Sequence, residues 1–173
     1  MKKIYFFILS SLLIGFFYIL FFSLKIDKNY DTQNLIGKNI SEIELNLLNE
    51  NKKFNNIDLK KNDFTAINFF SSWCGPCRQE HKYLMSLSKN KNLKILGINF
   101  KDDEKKANEF LNKLGNPYYL IASDKNGKKA INFGVYGIPE TILINNDMLI
   151  IKKYIGPLNS SEVKEILKIV ENK

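Results

Sequence analysis

The stretch TAINFFSSWCGPCRQEH, residues 65–81, contains both cysteines of the 173-residue chain. Its first six residues are mostly apolar, which predicts a buried strand at 65–70. Gly75 and Pro76 suit the tight entry to a helix that we expect at 75–90, because proline is tolerated where a helical amide has no partner. The sequence therefore predicts a strand, a short turn and a cysteine pair at the start of a helix.

The cysteine pair could be half of a metal site, a structural staple or a reactive dithiol. A structural zinc site needs four ligands, whereas Cys74, Cys77 and His81 are all the cysteine and histidine that the chain has. A carboxylate or a second chain would have to complete such a site. A staple is also disfavoured, because closing a two-residue loop removes little entropy from the unfolded chain. Exported proteins that use disulfides for stability usually close longer loops.

A redox-active pair explains the arrangement better. Cys74 should lie at the helix N-terminus, where unpaired amides and the helix dipole favour a thiolate. A lowered pKa would make Cys74 the attacking nucleophile. Cys77 lies one helical turn further on, where it can resolve a mixed disulfide. The sequence thus predicts dithiol–disulfide exchange through a redox-active Cys74–Cys77 disulfide, with no metal and no other cofactor.

The N-terminus predicts a membrane anchor. Residues 4–24 are 21 uncharged residues, and about 20 helical residues span a bilayer core. No small-residue cleavage site follows them, so we expect an uncleaved signal anchor rather than a removed signal peptide. Residues 1–3 carry two lysines and the terminal amine, which favours their cytoplasmic placement. Residues 25–40 are polar and aperiodic, which predicts a tether.

The remaining residues, 41–173, are long enough for one domain with its own hydrophobic core. The net charge of the chain is +8, but residues 29–173 carry 22 of the 26 Lys and Arg and 17 of the 18 Asp and Glu, which leaves +5. These basic residues are scattered lysines with a single arginine. Nucleic-acid surfaces usually show clustering and often arginine, so we expect no nucleic-acid partner.

Strand and helix patterns alternate along this domain. We expect an exposed hairpin from 42–48 and 52–59, strands at 93–100 and 118–123, a helix at 103–114, a turn and short helix at 125–134, a hairpin from 141–146 and 148–156, and a last helix opening at Asn159. Such an order favours an α/β fold with a mixed central sheet and helices on both faces.

The motif WCGPC between a strand and a helix resembles the signature of the thioredoxin fold. GVYGIPET at 134–141, GINFKDD at 97–103 and CRQEH at 77–81 resemble the CcmG/DsbE family. That family consists of membrane-tethered thiol:disulfide oxidoreductases of bacterial cytochrome c maturation. The resemblance implies a single-pass protein of the bacterial inner membrane, with its thioredoxin-like domain in the periplasm.

The resemblance also implies partners. The substrate would be apocytochrome c or a haem-ligation protein, whose disulfide must be reduced before haem attachment. Electrons would come from a transmembrane thiol reductase of the DsbD or CcdA type.

The resemblance further implies the residues of the site. The Ile138–Pro139 bond is expected to be cis and to lie against the cysteines, where the adjacent backbone would pair with an extended peptide. Many thioredoxins have an aspartate where this chain has Asn68, which leaves Glu80 and Glu140 as candidate proton relays for Cys77. The candidate catalytic residues are Cys74, Cys77, Glu80 and Glu140. The candidate substrate-binding residues are Trp73, Gly75, Pro76, Ile138 and Pro139.

Several alternatives stay open from the sequence. Trp73 could equally be a core residue, Glu80 a solvated helix position, Glu140 a strand-edge charge and Pro139 an ordinary turn proline. His81 is expected to be a surface or packing residue rather than a catalyst. The chain could also be a general exported thioredoxin, a disulfide-forming oxidase or a non-catalytic scaffold that binds a partner beside Pro139. The reduction potential would separate a reductant from an oxidase.

Overall fold

The computed structural model of the chain describes residues 2–24, 33–40, 44–50 and 52–172. These residues form two compact units, which divide between residues 31 and 32. The first contains the helix α1 (Lys2–Leu24), whose apolar side chains are exposed along its length. Lys3–Ser23 is long and apolar enough to cross a membrane. The predicted helix is confirmed, and its place in a membrane stays a prediction.

The second unit is an α/β domain that opens with a short 3-10 helix at Gln33–Leu35. Its strands are β1 (Glu44–Leu47), β2 (Lys53–Asn55), β3 (Phe64–Phe70), β4 (Leu93–Phe100), β5 (Leu120–Asp124), β6 (Glu140–Asn145) and β7 (Ile150–Ile155). Its helices are α2 (Asn56–Leu59), α3 (Gly75–Leu87), α4 (Glu104–Leu114), α5 (Lys128–Asn132) and α6 (Ser160–Glu171).

The strands form one mixed sheet in the order β2-β1-β5-β4-β3-β6-β7. The central strands β3, β4 and β5 are parallel, because helices α3 and α4 return the chain between them. The flanking strands β1, β6 and β7 pair antiparallel to their neighbours. This is the thioredoxin-like architecture that the sequence predicts, with the end of β3 leading directly into the cysteine pair.

Two hydrophobic cores lie on the two faces of the sheet. Side chains of α3, α4 and α6 pack on one face, and those of α2 and α5 pack on the other. Strand β3 shows the alternation: Ala66 and Phe70 face α3, whereas Ile67 and Phe69 face α5. Asn68 lies between them in register and therefore points toward α3, into an otherwise apolar core.

The predicted hairpin at 42–48 and 52–59 is confirmed only in part. Strands β1 and β2 pair antiparallel, but Asn56–Leu59 is a short helix rather than the end of a strand. The hairpin forms one edge of the main sheet, because β1 pairs with β5. Leu45 and Phe54 are therefore buried in the core on the face of the sheet that α2 and α5 cover.

The predicted tether at 25–40 is shorter in the structure. Backbone hydrogen bonds join residues 33–40 to β7 and to the turn that precedes it, and Ile40 is buried. These residues therefore belong to the domain. Residues 25–32, the rest of the predicted tether, lie outside the described residues.

Candidate active site

The cysteine pair lies where β3 passes into α3, as the sequence predicts. Cys74 is the N-cap of α3 and is joined to Cys77 by a disulfide. The amide of Cys77 donates to Cys74 Sγ at 3.1 Å. Both cysteines are nearly buried, whereas Gly75 and Pro76 between them are exposed. An amide directed at Sγ favours a thiolate there once the disulfide is reduced.

The turn that precedes the pair is held by one carboxylate. Asp102 accepts hydrogen bonds from the amide of Ser72 at 2.6 Å and from Ser72 Oγ at 2.9 Å. Trp73 Nε1 donates to the carbonyl of Lys101 at 3.2 Å in the same loop. The Trp73 side chain is nevertheless 60% exposed. The alternative of a core tryptophan is therefore wrong, and its indole lies on the surface beside Cys74.

Glu80 is buried on α3, three residues after Cys77. Its Oε1 accepts from Asn68 Nδ2 at 2.8 Å, and its Oε2 accepts from the amide of Leu158 at 2.8 Å. Asn68 also donates to Thr141 Oγ1 at 3.0 Å and accepts from the hydroxyl of Tyr118 at 2.8 Å. These four hydrogen bonds use both N–H groups and the carbonyl of Asn68 and both carboxylate oxygens of Glu80. Glu80 has no exposed surface, so a solvated helix position is excluded.

Burial raises the pKa of Glu80 from 4.5 to about 7. The hydrogen bonds from Leu158 and Asn68 act in the opposite direction, because they stabilise the carboxylate. Desolvation outweighs them, since Glu80 has no exposed surface. A group with a pKa near neutrality can both accept and release a proton at physiological pH.

Glu140 opens β6 next to the Ile138–Pro139 bond, which is cis as predicted. Its Oε1 accepts from the amides of Tyr136 and Gly137 at 2.8 and 3.0 Å. Lys153 Nζ lies 2.8 Å from its Oε2, and both side chains are buried. Glu140 is therefore not a strand-edge charge but half of an internal ion pair.

The two glutamates lie on opposite faces of the sheet. In the β3–β6 register Thr141 pairs with Asn68 on the face that α3 covers, whereas Glu140 pairs with Phe69 on the α5 face. Because α3 carries both Cys77 and Glu80, three residues apart, their side chains lie on neighbouring positions of one helix surface. Glu80 therefore lies one helical turn from Cys77 on α3, whereas the contacts of Glu140 go to the loop before Pro139.

His81 is a packing residue, as expected. Its ring is buried, lies edge-on to Phe110 with 5.2 Å between centroids, and places Nε2 2.9 Å from the carbonyl of Gly115. Burial lowers the pKa of His81, which favours its neutral form.

Sequence reasoning missed three residues that organise the site: Tyr118, Asp102 and Lys153. Asp102 had a sequence signal, since polar groups that follow a parallel strand lie at the edge where functional side chains gather. Tyr118 and Lys153 gave none, because their contacts come from distant strands.

Comparison with known proteins agrees with this geometry. The sequence model of the Redoxin family matches residues 35–169. The chain is 39% identical over 133 residues to the thiol:disulfide interchange protein DsbE of Vibrio cholerae, which covers 77% of this chain and 72% of that protein. It is 49% identical over 105 residues to the thiol:disulfide interchange protein CycY of Rhizobium leguminosarum bv. viciae, a match that spans 61% of this chain and 56% of CycY.

A solved structure shows the same fold. The crystal structure of a putative thiol:disulfide interchange protein DsbE from Chlorobium tepidum superposes with a TM-score of 0.66 at 20% identity. The match covers 79% of this chain and 96% of that one.

Proposed function

We propose that this chain, which belongs to the Redoxin family and to its CcmG/DsbE branch of thiol:disulfide oxidoreductases, reduces protein disulfides during cytochrome c maturation. The observation that carries the proposal is the Cys74–Cys77 pair at the start of α3, with the Cys77 amide on Cys74 Sγ and the buried Glu80 three residues after Cys77 on the same helix.

The reaction is a two-step exchange. The Cys74 thiolate attacks one sulfur of a substrate disulfide, which forms a mixed disulfide and releases the other substrate sulfur as a thiolate. Cys77 then attacks Cys74 Sγ, which releases the second substrate thiol and forms the Cys74–Cys77 disulfide. Two electrons pass from the dithiol to the substrate, and the released thiolates take up the protons that Cys74 and Cys77 give up.

We assign the proton of Cys77 to Glu80. Cys77 must lose its proton before it resolves the mixed disulfide, and a carboxylate with a pKa of about 7 can accept that proton near neutrality. Glu140 was the second candidate for this role. Its contacts with Lys153, Tyr136 and Gly137 favour a structural role in the loop before β6 instead.

The buried carboxylate also favours a reductant over an oxidase. A strong oxidant stabilises its reduced, thiolate form. The charge of Glu80 destabilises the thiolate form instead, because a nearby carboxylate disfavours a second negative charge on sulfur. The disulfide is thereby favoured over the dithiol, and the dithiol donates electrons more readily.

The family relationship supports the biological setting. We propose that residues 4–24 anchor the chain in the bacterial inner membrane, that residues 1–3 stay in the cytoplasm, and that the domain works in the periplasm. Apocytochrome c or a haem-ligation protein would be the substrate. A transmembrane thiol reductase of the DsbD or CcdA type would restore the dithiol.

The reduction potential tests this assignment. The full-length chain in detergent is equilibrated with glutathione redox buffers, and the reduced fraction is measured by thiol alkylation and mass spectrometry. A potential at or below about −200 mV is expected of a reductant, whereas a value near about −120 mV would identify an oxidase. Holocytochrome formation by a Cys74→Ser/Cys77→Ser variant would instead favour a non-catalytic scaffold.

A further inference from the structure

A lysine and a glutamate are buried together beneath the loop that precedes β6. Residues 134–139, here called the substrate loop, connect α5 and the residues after it to β6 and contain the cis Ile138–Pro139 bond. Lys153 on β7 is only 4% exposed, and its Nζ lies 2.8 Å from Glu140 Oε2. A buried lysine of this kind needs a partner, because an unpaired charge is costly away from water.

Among the described residues, the polar contacts that these two side chains make go to the substrate loop or to each other. Lys153 Nζ also donates to the carbonyl of Gly134. The distance from Lys153 Nζ to the centroid of the Tyr136 ring is 5.0 Å. Glu140 Oε1 accepts from the amides of Tyr136 and Gly137. The two side chains thus hold the start and the middle of the loop from within. They add to backbone hydrogen bonds that the amides of Gly134 and Val135 donate to α5 and that Pro139 accepts from Gly156.

The loop presents exposed groups outward while its backbone is held from within. Tyr136 is 67% exposed, Gly137 is exposed and Ile138 is half-buried, whereas Pro139 is buried. The ion pair lies on the face that α5 covers, away from Cys77 and Glu80. Its effect on the reaction must therefore pass through the loop and not through the thiols.

We propose that Glu140 and Lys153 are positioning residues, whose buried ion pair holds the substrate loop in the shape that pairs with an extended peptide beside the cysteines. This inference rests on the proposed function as a protein disulfide reductant. The pair determines how well a peptide disulfide is presented to Cys74, and it leaves the reactivity of Cys74 toward small reagents to the groups on α3.

The experiment compares a peptide substrate with a small one. Full-length wild-type and Lys153→Met chains in detergent are assayed with an oxidised Cys-x-x-Cys-His peptide and with hydroxyethyl disulfide, and Cys74 is alkylated separately with iodoacetamide. Lys153→Arg keeps the charge and serves as the conservative variant. Lys152→Met is the matched control, because Lys152 is adjacent on β7 but pairs with Glu165 at the surface, 2.9 Å away.

Loss of the pair should lower kcat/KM for the peptide by about 10- to 100-fold, chiefly through a higher KM, because misplacement of about 1 Å costs about that much. The rates with hydroxyethyl disulfide and iodoacetamide should change less than about twofold. Lys153→Arg should recover most of the loss, and Lys152→Met should behave as wild type. Equal losses with both disulfides, or an unchanged peptide rate, would overturn the inference.

Hydrogen exchange tests the same point without a variant, in case Lys153→Met fails to fold. The amides of Tyr136 and Gly137 belong to exposed residues but donate to a buried carboxylate, so they should exchange at least about 100-fold more slowly than a free amide. Exchange at the free rate would overturn the inference. A wild-type chain that reduces neither disulfide but shows this protection would refute the proposed function and leave the loop geometry intact.

Discussion

Glu80 offers the sharpest test of the physical reasoning, because its titration is linked to the stability of the fold. The substitution Glu80→Gln keeps the size of the side chain and removes the charge. The buried carboxyl has a pKa of about 7 in the folded chain, against an ordinary value of 4.5. Between these values the folded state binds more protons than the unfolded state, so the free energy of unfolding must fall as the pH rises.

The size of the effect follows from the shift. A rise from 4.5 to about 7, at about 1.4 kcal/mol per pH unit, gives about 3 kcal/mol. This contribution is fully present below about pH 4.5 and is lost as the pH rises through about 7. Glu80→Gln cannot titrate, so the stability of wild type minus that of the variant should fall by about 3 kcal/mol from pH 4.5 to 8.

The difference between the two chains is the quantity to measure, because other groups also titrate. Burial lowers the pKa of His81, so its contribution rises with pH up to its unfolded pKa and opposes that of Glu80. His81 is present in both chains and adjacent residues do not face each other on a helix, so its contribution should cancel. The absolute stability of Glu80→Gln is less informative, because glutamine cannot accept from both Asn68 and Leu158.

The assay is guanidinium-induced unfolding of the oxidised full-length chains in detergent, followed by far-UV circular dichroism at half-unit pH steps. Two-state analysis gives the free energy of unfolding at each pH. If the free energy of unfolding depends on pH in the same way for both chains, the pKa of Glu80 is not raised by folding and the prediction is wrong. A wild-type chain that gains stability relative to Glu80→Gln as the pH rises would contradict the sign of the argument.

Two further predictions concern the groups around the site. Tyr118→Phe should lower the free energy of unfolding in urea or guanidinium by about 1–3 kcal/mol, because it leaves the buried Asn68 carbonyl without its hydroxyl donor. An unchanged unfolding midpoint would mean that this hydrogen bond contributes nothing to stability. Asp102→Ala should cost a similar amount and speed proteolysis at the Ser72 turn, since it removes four hydrogen bonds that the carboxylate accepts, two of them from Ser72. Asp102→Asn keeps an acceptor for Ser72 and should cost less; equal losses in both variants would refute the hydrogen-bond explanation.

Local signals predicted much of the fold. The helix starts predicted at Cys74 and Asn159 are both found: Cys74 caps α3, and Asn159 forms a capping box with Glu162 at the start of α6. Such caps depend on residues only a few positions apart. The same signal was overlooked at Asn55, whose side chain caps α2 while Asp58 bonds back to the Asn55 amide. This short helix was therefore assigned to a strand.

Features that depend on distant strands were beyond the sequence pattern. Lys152 and Lys153 are adjacent on β7, where Ile151 is an extra residue, because the consecutive residues Leu143 and Ile144 of β6 pair with Lys152 and Ile150. The sequence could not show which lysine points inward. The ion pair of Glu140 with Lys153 could therefore not be predicted. The resemblance alone led to the prediction that Glu140 is a proton relay for Cys77.

The network around Asn68 shows a similar limit. The sequence marked Asn68 as a departure from the usual aspartate, but the Tyr118 hydroxyl that bonds to it lies fifty residues further on. Gly97 makes this contact possible, because a Cβ there would lie 2.8 Å from the Tyr118 ring. No local pattern connects these three positions.

The most direct test of the central claim is to ask which cysteine attacks. Cys77→Ser and Cys74→Ser chains are reduced, mixed with the oxidised Cys-x-x-Cys-His peptide, quenched with acid and analysed by mass spectrometry. We expect Cys77→Ser to accumulate a mixed disulfide through Cys74, and Cys74→Ser to form one far more slowly because Cys77 lies within the helix beyond the N-cap. Faster accumulation in Cys74→Ser would contradict the assignment of Cys74 as the nucleophile.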